Sequence, residues 1–115
     1  MATVFGKELR KLRIDRDETI HAMAKKLGVS ISYLSAIEAG SRKIPSGMVD
    51  KIIQSYQLDE ERSEIMRQAE ASTAKEIDID LSSVTVEQRK LVFALSRKLN
   101  DISDEDCLNI LNKLK

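Results

Sequence analysis

The amino-acid sequence predicts an all-α protein, and three observations support this fold class. Apolar residues recur every three or four positions along most of the 115-residue chain, which is the spacing of one helix face. Aromatic residues make up only 3% of the chain and Trp is absent, so the core must be built from aliphatic side chains. One proline and four glycines leave the helical segments almost uninterrupted.

Five helices are predicted in the N-terminal part of the chain. The first three are expected over Val4–Asp15, Ile20–Leu27 and Ile31–Ala39, because each has apolar residues at helical spacing. The fourth is expected from about Gly47 to Tyr56 and the fifth from about Asp59 to Ala71. Together they predict one helical domain over residues 1–71.

The boundaries of the second and third helices rest on residue types that favour helix ends. Thr19 and Ser30 are suited to cap the N-termini of these helices, since their hydroxyl groups accept hydrogen bonds from unpaired backbone amides. Gly28 and Gly40 follow the last apolar residue of each helix, where a left-handed residue ends many helices.

The C-terminal third predicts a linker, one short strand and two helices. Residues 72–85 form the linker, and within them the segment 77–81 (IDIDL) alternates apolar and acidic side chains, which is typical of a strand. Thr85 and Gln88 have the spacing of a capping box, and Ser103 precedes a last helix with an acidic first turn. Residues 86–115 are therefore expected to form a separate helical region.

The composition excludes several classes of function. With Cys107 as the one cysteine and His21 as the one histidine, neither an intrachain disulfide nor a Cys–His metal site is expected. No catalytic residue and no cofactor are predicted, because the chain has no glycine-rich phosphate loop and no nucleophile–base arrangement. No apolar run resembles a signal peptide or a membrane span, so we expect a cytosolic protein without a membrane partner.

The two halves of the chain differ in charge, although 19 basic and 19 acidic residues give a net charge of zero. Residues 1–56 contain 10 basic and 6 acidic side chains, whereas residues 57–115 contain 9 basic and 13 acidic ones. A basic front half fits a face that contacts nucleic acid.

The motif that carries function lies between Thr19 and Gly40, in the sequence TIHAMAKKLGVSISYLSAIEAG. Two short helices joined by a turn of about three residues have the spacing of a helix-turn-helix. Ala24 is small where the two helices cross, and the turn is Leu27-Gly28-Val29. This segment resembles the phage-repressor-type, or Xre-family, helix-turn-helix, and the resemblance extends over about residues 4–70.

The resemblance implies a five-helix lambda-repressor-like DNA-binding domain, with double-stranded DNA as its partner. It also implies that Glu38 pairs with Arg13 in a structural contact. The third helix would lie in the major groove. The positions that would read bases are Ile31, Ser32, Tyr33 and Ala36. The positions that would bind phosphate are Thr19, Arg42, Lys43 and Ser46.

The base-reading positions depart from the commonest phage pattern, which has glutamines there. Ile31 cannot form a bidentate hydrogen bond, but it can pack on a thymine methyl group. Ser32 can donate to a base or a phosphate. For Tyr33, a phosphate or groove-rim contact and base readout remain equally open.

The function that these observations favour is a transcriptional regulator, an autoregulating repressor that binds an inverted repeat as a homodimer. Residues outside the first domain would hold the dimer together. The expected dimerisation residues are Ile77, Ile79, Leu81, Phe93, Leu95 and Leu99. Alternatives are that this tail folds back on the first domain, or that the protein is an antitoxin whose C-terminal region neutralises a toxin protein.

Overall fold

The computed structural model describes residues 2–115 and separates them into two compact units, an N-terminal unit that ends at Ile79 and a C-terminal unit over Asp80–Lys115. The described residues contain helices and no strand, so the predicted all-α class is confirmed. No helix between residues 2 and 115 is both long enough and apolar enough to cross a membrane.

Five α-helices build the N-terminal unit. They are α1 (Val4–Asp15), α2 (Ile20–Leu27), α3 (Ile31–Ala39), α4 (Met48–Tyr56) and α5 (Glu60–Thr73). The first three have the predicted bounds. Helix α4 starts one residue later than expected because Gly47, with φ +83°, is its N-cap. Helix α5 extends two residues past the expected end at Ala71.

The residue types that mark the ends of α2 and α3 act as predicted. The hydroxyl oxygen of Thr19 accepts a hydrogen bond from the Ala22 amide at 3.1 Å, and that of Ser30 accepts one from the Tyr33 amide at 3.1 Å. Gly28 and Gly40 take left-handed conformations with φ of +71° and +84°. Each of these features uses neighbours in sequence, which is why the sequence alone predicts them.

The core of the N-terminal unit is aliphatic and draws on all five helices. Its fully buried large side chains include one phenylalanine and one tyrosine among leucine, isoleucine and methionine. They are Phe5, Leu9, Leu12, Met23, Leu27, Leu34, Ile37, Ile52 and Tyr56. Helices α1 and α5 make the most extensive contact, and α1 also packs on α3. Helix α1 therefore supports α3, the second helix of the helix-turn-helix pair, from the inner face of α3.

The predicted strand at residues 77–81 is wrong. These residues follow α5 without regular structure, and most of their side chains are exposed. A strand needs a neighbouring strand for its backbone hydrogen bonds, and the described part of the chain contains none. Alternation of apolar and acidic residues is thus insufficient here to form a strand within one chain.

Two α-helices and a short 3-10 turn form the C-terminal unit. Helix α6 spans Val86–Lys98, the turn spans Leu99–Asp101, and helix α7 spans Asp104–Lys113. The capping box predicted at the start of α6 is present, since Thr85 and Gln88 exchange hydrogen bonds of 3.1 and 2.9 Å. Neither helix contains a buried residue, which contrasts with every helix of the N-terminal unit.

Candidate nucleic-acid interface

Helix α3 is fixed in the N-terminal unit by its inner face. Leu34, Ile37 and Glu38 are buried, and Glu38 forms the pair with Arg13 of α1 that the resemblance implied. The side chains of this pair are almost completely shielded from water, and Arg13 also donates to the sulfur of Met23 at 3.3 Å. Because a buried carboxylate without a cation is costly, this pair links the orientation of α3 to that of α1.

A close backbone approach between α1 and α3 adds to this attachment. Gly6 lies against Glu38 so closely that a Cβ atom at position 6 would be 2.2 Å from the Glu38 carbonyl oxygen. The same carbonyl accepts hydrogen bonds from the amide and the hydroxyl of Thr3, at 3.1 and 3.2 Å. Sequence reasoning missed Gly6, because a glycine inside a helix does not reveal which distant residue it contacts.

The outer face of α3 holds the residues predicted to read bases. Ile31 and Ser32 are exposed near the helix start, and Tyr33 and Ala36 are half-buried. Ser35 is also exposed and lies three positions after Ser32, so the two hydroxyl groups share one face. Sequence reasoning overlooked Ser35, although helical spacing from Ser32 could have identified it.

Tyr33 and Arg42 are in contact, which joins a predicted base-reading residue to a predicted phosphate-binding one. The guanidinium carbon of Arg42 lies 5.4 Å from the centre of the Tyr33 ring. A cation at this distance from an aromatic face is attracted to it. Because the Tyr33 ring also packs against the core, it supports Arg42 beside the exposed face of α3.

The loop at residues 41–47 follows α3 and holds the other predicted phosphate-binding residues. Its start is anchored on the Ala36 carbonyl, which accepts from the amides of Ser41 and Arg42 at 3.0 and 3.3 Å. Lys43 and Ser46 are exposed on this loop. The Lys43 ammonium already forms an ion pair, because it lies 2.8 Å from a carboxylate oxygen of Asp78.

The start of α2 is a further place where phosphate could bind. Thr19 is exposed, but its hydroxyl oxygen is occupied as the helix cap. The first backbone amides of a helix have no partner within the helix and carry partial positive charge, which suits an anion. Thr19 therefore marks the position of these amides, and its own hydroxyl can still donate a proton.

A cluster of charged residues beside α2 was not predicted. Glu18 accepts hydrogen bonds from the Tyr56 hydroxyl and from the Lys26 ammonium, the latter at 2.9 Å, and Arg16 donates to the Tyr56 carbonyl at 2.7 Å. Burial alone would raise the pKa of Glu18, but the hydrogen bonds from Tyr56 and Lys26 outweigh it and lower the pKa. Burial and the hydrogen bond to Glu18 raise the pKa of Tyr56. Lys26 and Arg16 are thus engaged in the fold, and they contribute less to a DNA-binding face than their charge suggests.

The predicted dimerisation residues are solvent-accessible. Ile77 and Ile79 are exposed at the end of the N-terminal unit. In the C-terminal unit, Phe93, Leu95 and Leu99 are exposed and Leu81 is half-buried. Further exposed apolar residues accompany them in the C-terminal unit. They are Val86, Leu91, Leu108, Ile110, Leu111 and Leu114.

The helix-turn-helix geometry agrees with the comparison to known families. A family model described as "Helix-turn-helix domain" matches residues 4–65, which is more than half of the chain, and the chain therefore belongs to this family. This membership is consistent with an Xre-type DNA-binding protein, as the resemblance implied. No curated protein and no solved structure matches the chain.

Proposed function

We propose that this protein is a cytoplasmic, sequence-specific regulator of transcription, an Xre-type repressor that binds double-stranded DNA in the promoter of its own gene. The observation that carries the proposal is the position of Arg42 on the ring of Tyr33, beside the exposed N-terminal half of α3. This arrangement presents a cation for phosphate next to side chains that can enter a major groove.

Each proposed DNA contact follows from the chemistry of its side chain. Ser32 can donate to a base edge, and Ile31 can pack on a thymine methyl group. Ala36 is small and permits close approach, while Tyr33 can reach either a base edge or the rim of the groove. Arg42, Lys43, Ser46 and the amides after Thr19 bind phosphate, which sets affinity and register but carries no sequence information.

We further propose that the protein divides into a DNA-binding domain over residues 1–71, a linker over residues 72–85 and a dimerisation region over residues 86–115. The apolar side chains of α6 and α7 support this proposal, because a 36-residue unit without a buried residue lacks a core of its own. Covering these side chains with those of another chain would remove them from water.

The charges of α7 favour a second copy of this chain as the partner. Its first turn contains Asp104, Glu105 and Asp106, and its last turn contains Lys113. Two such helices packed antiparallel place the acidic start of one beside the basic end of the other. The C-terminal unit as a whole contains six basic and six acidic side chains, so self-association meets no net repulsion.

The alternative function is that of an antitoxin, which represses its own operon and neutralises a toxin through the C-terminal region. The same exposed apolar residues favour it, since they would fit any partner with an apolar groove. Charge gives no additional support, because the acidic excess of the rear half lies in residues 57–79 and the C-terminal unit is neutral. A toxin gene beside this one would favour the alternative.

The first test is the binding of the purified protein to its own promoter region, titrated against salt, with the molar mass measured by light scattering. A dimer that protects an inverted repeat, with affinity that falls steeply as salt rises, would support the repressor. A monomer without preference for this DNA would contradict it, and the product of the neighbouring gene would be the next ligand to test.

Two variants separate the proposed kinds of contact. Arg42→Ala should weaken binding to all DNA sequences alike and reduce the salt dependence, because a phosphate contact is lost. Ser32→Ala should change the sequence preference, by about 1–3 kcal/mol at a contacted base pair. If both variants lost affinity uniformly, the base-reading positions would be wrong.

A further inference from the structure

Residues 75–79 follow α5 and lie beside the loop at residues 41–47. The two segments line an open groove of about 490 Å³, with Ile44 and Ser46 on the loop side and Glu76, Ile77 and Asp78 on the other. A second groove of about 400 Å³ includes Arg42 and Lys43 together with Lys75 and Glu76. The acidic segment Glu76–Asp78 therefore lies next to the loop that carries two proposed phosphate-binding cations.

One ion pair connects this acidic segment to the loop. The Lys43 ammonium lies 2.8 Å from the Asp78 carboxylate, and more than half of each side chain is exposed. The hydrogen bond and the charge of Asp78 raise the pKa of Lys43, and Glu76 adds to the effect. A carboxylate oxygen at this distance occupies the position that a phosphate oxygen would take on the same ammonium.

The acidic segment has little else to hold it. In the described part of the chain, residues 75–79 make one side-chain hydrogen bond to the rest of the protein, and it is this ion pair. Their backbone groups make no hydrogen bond to other described backbone groups. Ile77 is 75% exposed, so burial does not retain the segment either. An exposed ion pair is a weak attachment that salt screens, so the segment can leave the loop at small cost.

We propose that Glu76–Asp78 competes with DNA phosphate for Lys43, so that DNA binding displaces this acidic segment from the loop. The inference rests on the proposed DNA-binding function and adds an internal competitor to it. Its consequence is that any event that moves residues 76–78, such as a partner that pairs with Ile77 and Ile79, strengthens DNA binding.

The test is the affinity of Asp78→Asn for promoter DNA, measured by fluorescence anisotropy. Removing the competing charge should tighten binding about two- to five-fold at low salt, the range expected for an exposed ion pair. The ratio of the variant and wild-type affinities should approach one at about 0.5 M salt, where the pair is screened.

Two controls distinguish competition from a general change in charge. Asp80→Asn removes the same charge two residues further on, where the carboxylate bonds to Ser82, and it should tighten binding less. In a Lys43→Gln background, Asp78→Asn should tighten binding no more than Asp80→Asn does, because the competed cation is gone. Equal gains from Asp78→Asn and Asp80→Asn, or an undiminished gain in the Lys43→Gln background, would overturn the inference.

The experiment also separates this inference from the function on which it rests. If the wild-type protein binds the promoter DNA and Asp78→Asn does not tighten it, only the competition is wrong. If neither protein binds double-stranded DNA at any salt concentration, the proposed DNA-binding function itself is contradicted.

Discussion

The two units of this protein use the same kinds of apolar residue in opposite ways. In the N-terminal unit, leucines such as Leu9 and Leu34 are fully buried, and every helix contributes to one core. In the C-terminal unit, Leu95 is 42% exposed, and neither α6 nor α7 buries a residue. Serine or threonine caps the start of α2 and α3 in the first unit and of α6 and α7 in the second.

This contrast separates what forms a helix from what stabilises a fold. Caps and spacing are local, and both units have them. A core requires several helices to cover one another, and the first unit achieves this within one chain. In the second unit, the described residues include a few half-buried side chains but no buried one, so its helices do not cover one another in this way. Its stability is therefore expected to depend on a partner.

The largest expected effect tests the attachment of α3 in the first unit. Arg13→Ala should lower the free energy of unfolding by about 3–5 kcal/mol, because it leaves the buried Glu38 carboxylate without its cation. Urea denaturation followed by circular dichroism measures this change.

Lys11→Ala on the same helix is the matched control. It removes an exposed pair with Glu8 and should cost less than about 1 kcal/mol. Similar losses in both variants would mean that the buried pair does not fix α3.

A smaller effect is expected where α1 meets α3 through backbone atoms. Gly6→Ala places a Cβ atom on the Glu38 carbonyl and should cost about 1–3 kcal/mol, as overpacking does in well-packed cores. Gly47→Ala is the comparison. No atom lies near the Cβ position of residue 47, but its left-handed φ of +83° is unfavourable for alanine, so this substitution should lower the free energy of unfolding by about 1–2 kcal/mol.

The influence of the crowding at Gly6 on the DNA-binding face can be measured separately. Gly6→Ala should weaken DNA binding in the fraction that remains folded, because this change shifts α3 against α1. A DNA affinity equal to that of the wild-type protein would argue that the close approach at Gly6 has no influence on the interface.

The smallest effect on folding should come from the second unit. Leu95→Ala should change the unfolding free energy of the N-terminal unit by less than about 0.5 kcal/mol, whereas Leu9→Ala should cost about 2–5 kcal/mol. Leu95→Ala should instead weaken self-association about ten- to hundred-fold, since a leucine side chain buried at an interface contributes about 1.5–3 kcal/mol. Sedimentation analysis over a dilution series measures this. Unchanged association would remove Leu95 from the proposed dimer interface.

Local signals explain how much of the fold the sequence predicts. The bounds of α1, α2 and α3, the caps Thr19 and Ser30, and the capping box of α6 depend on residues within about four positions of one another. The pair of Arg13 with Glu38 spans 25 residues, and it was expected only because of the family resemblance.

Features that depend on distant residues were missed or wrong. The contact of Gly6 with Glu38, the cluster around Glu18 and Tyr56, and the pair of Lys43 with Asp78 join residues more than 30 positions apart. No local pattern encodes such partners. The wrong prediction of a strand at residues 77–81 has the same origin. Alternating apolar and acidic residues favour a strand, but a strand forms only when a neighbouring strand pairs with its backbone. The roles of the α3 residues in reading DNA stay predictions.

Three residues on the outer face of α3 make no contribution to the core, and this has a consequence for how the protein can diversify. Ile31, Ser32 and Ser35 are exposed, while the helix is retained by Leu34, Ile37 and Glu38 on its other side. Mutations on the outer face therefore escape the selection against unstable proteins that acts on most substitutions. Under the proposed function, descendants of one ancestral protein could acquire new operators by exchanging these three side chains, with the scaffold beneath them unchanged.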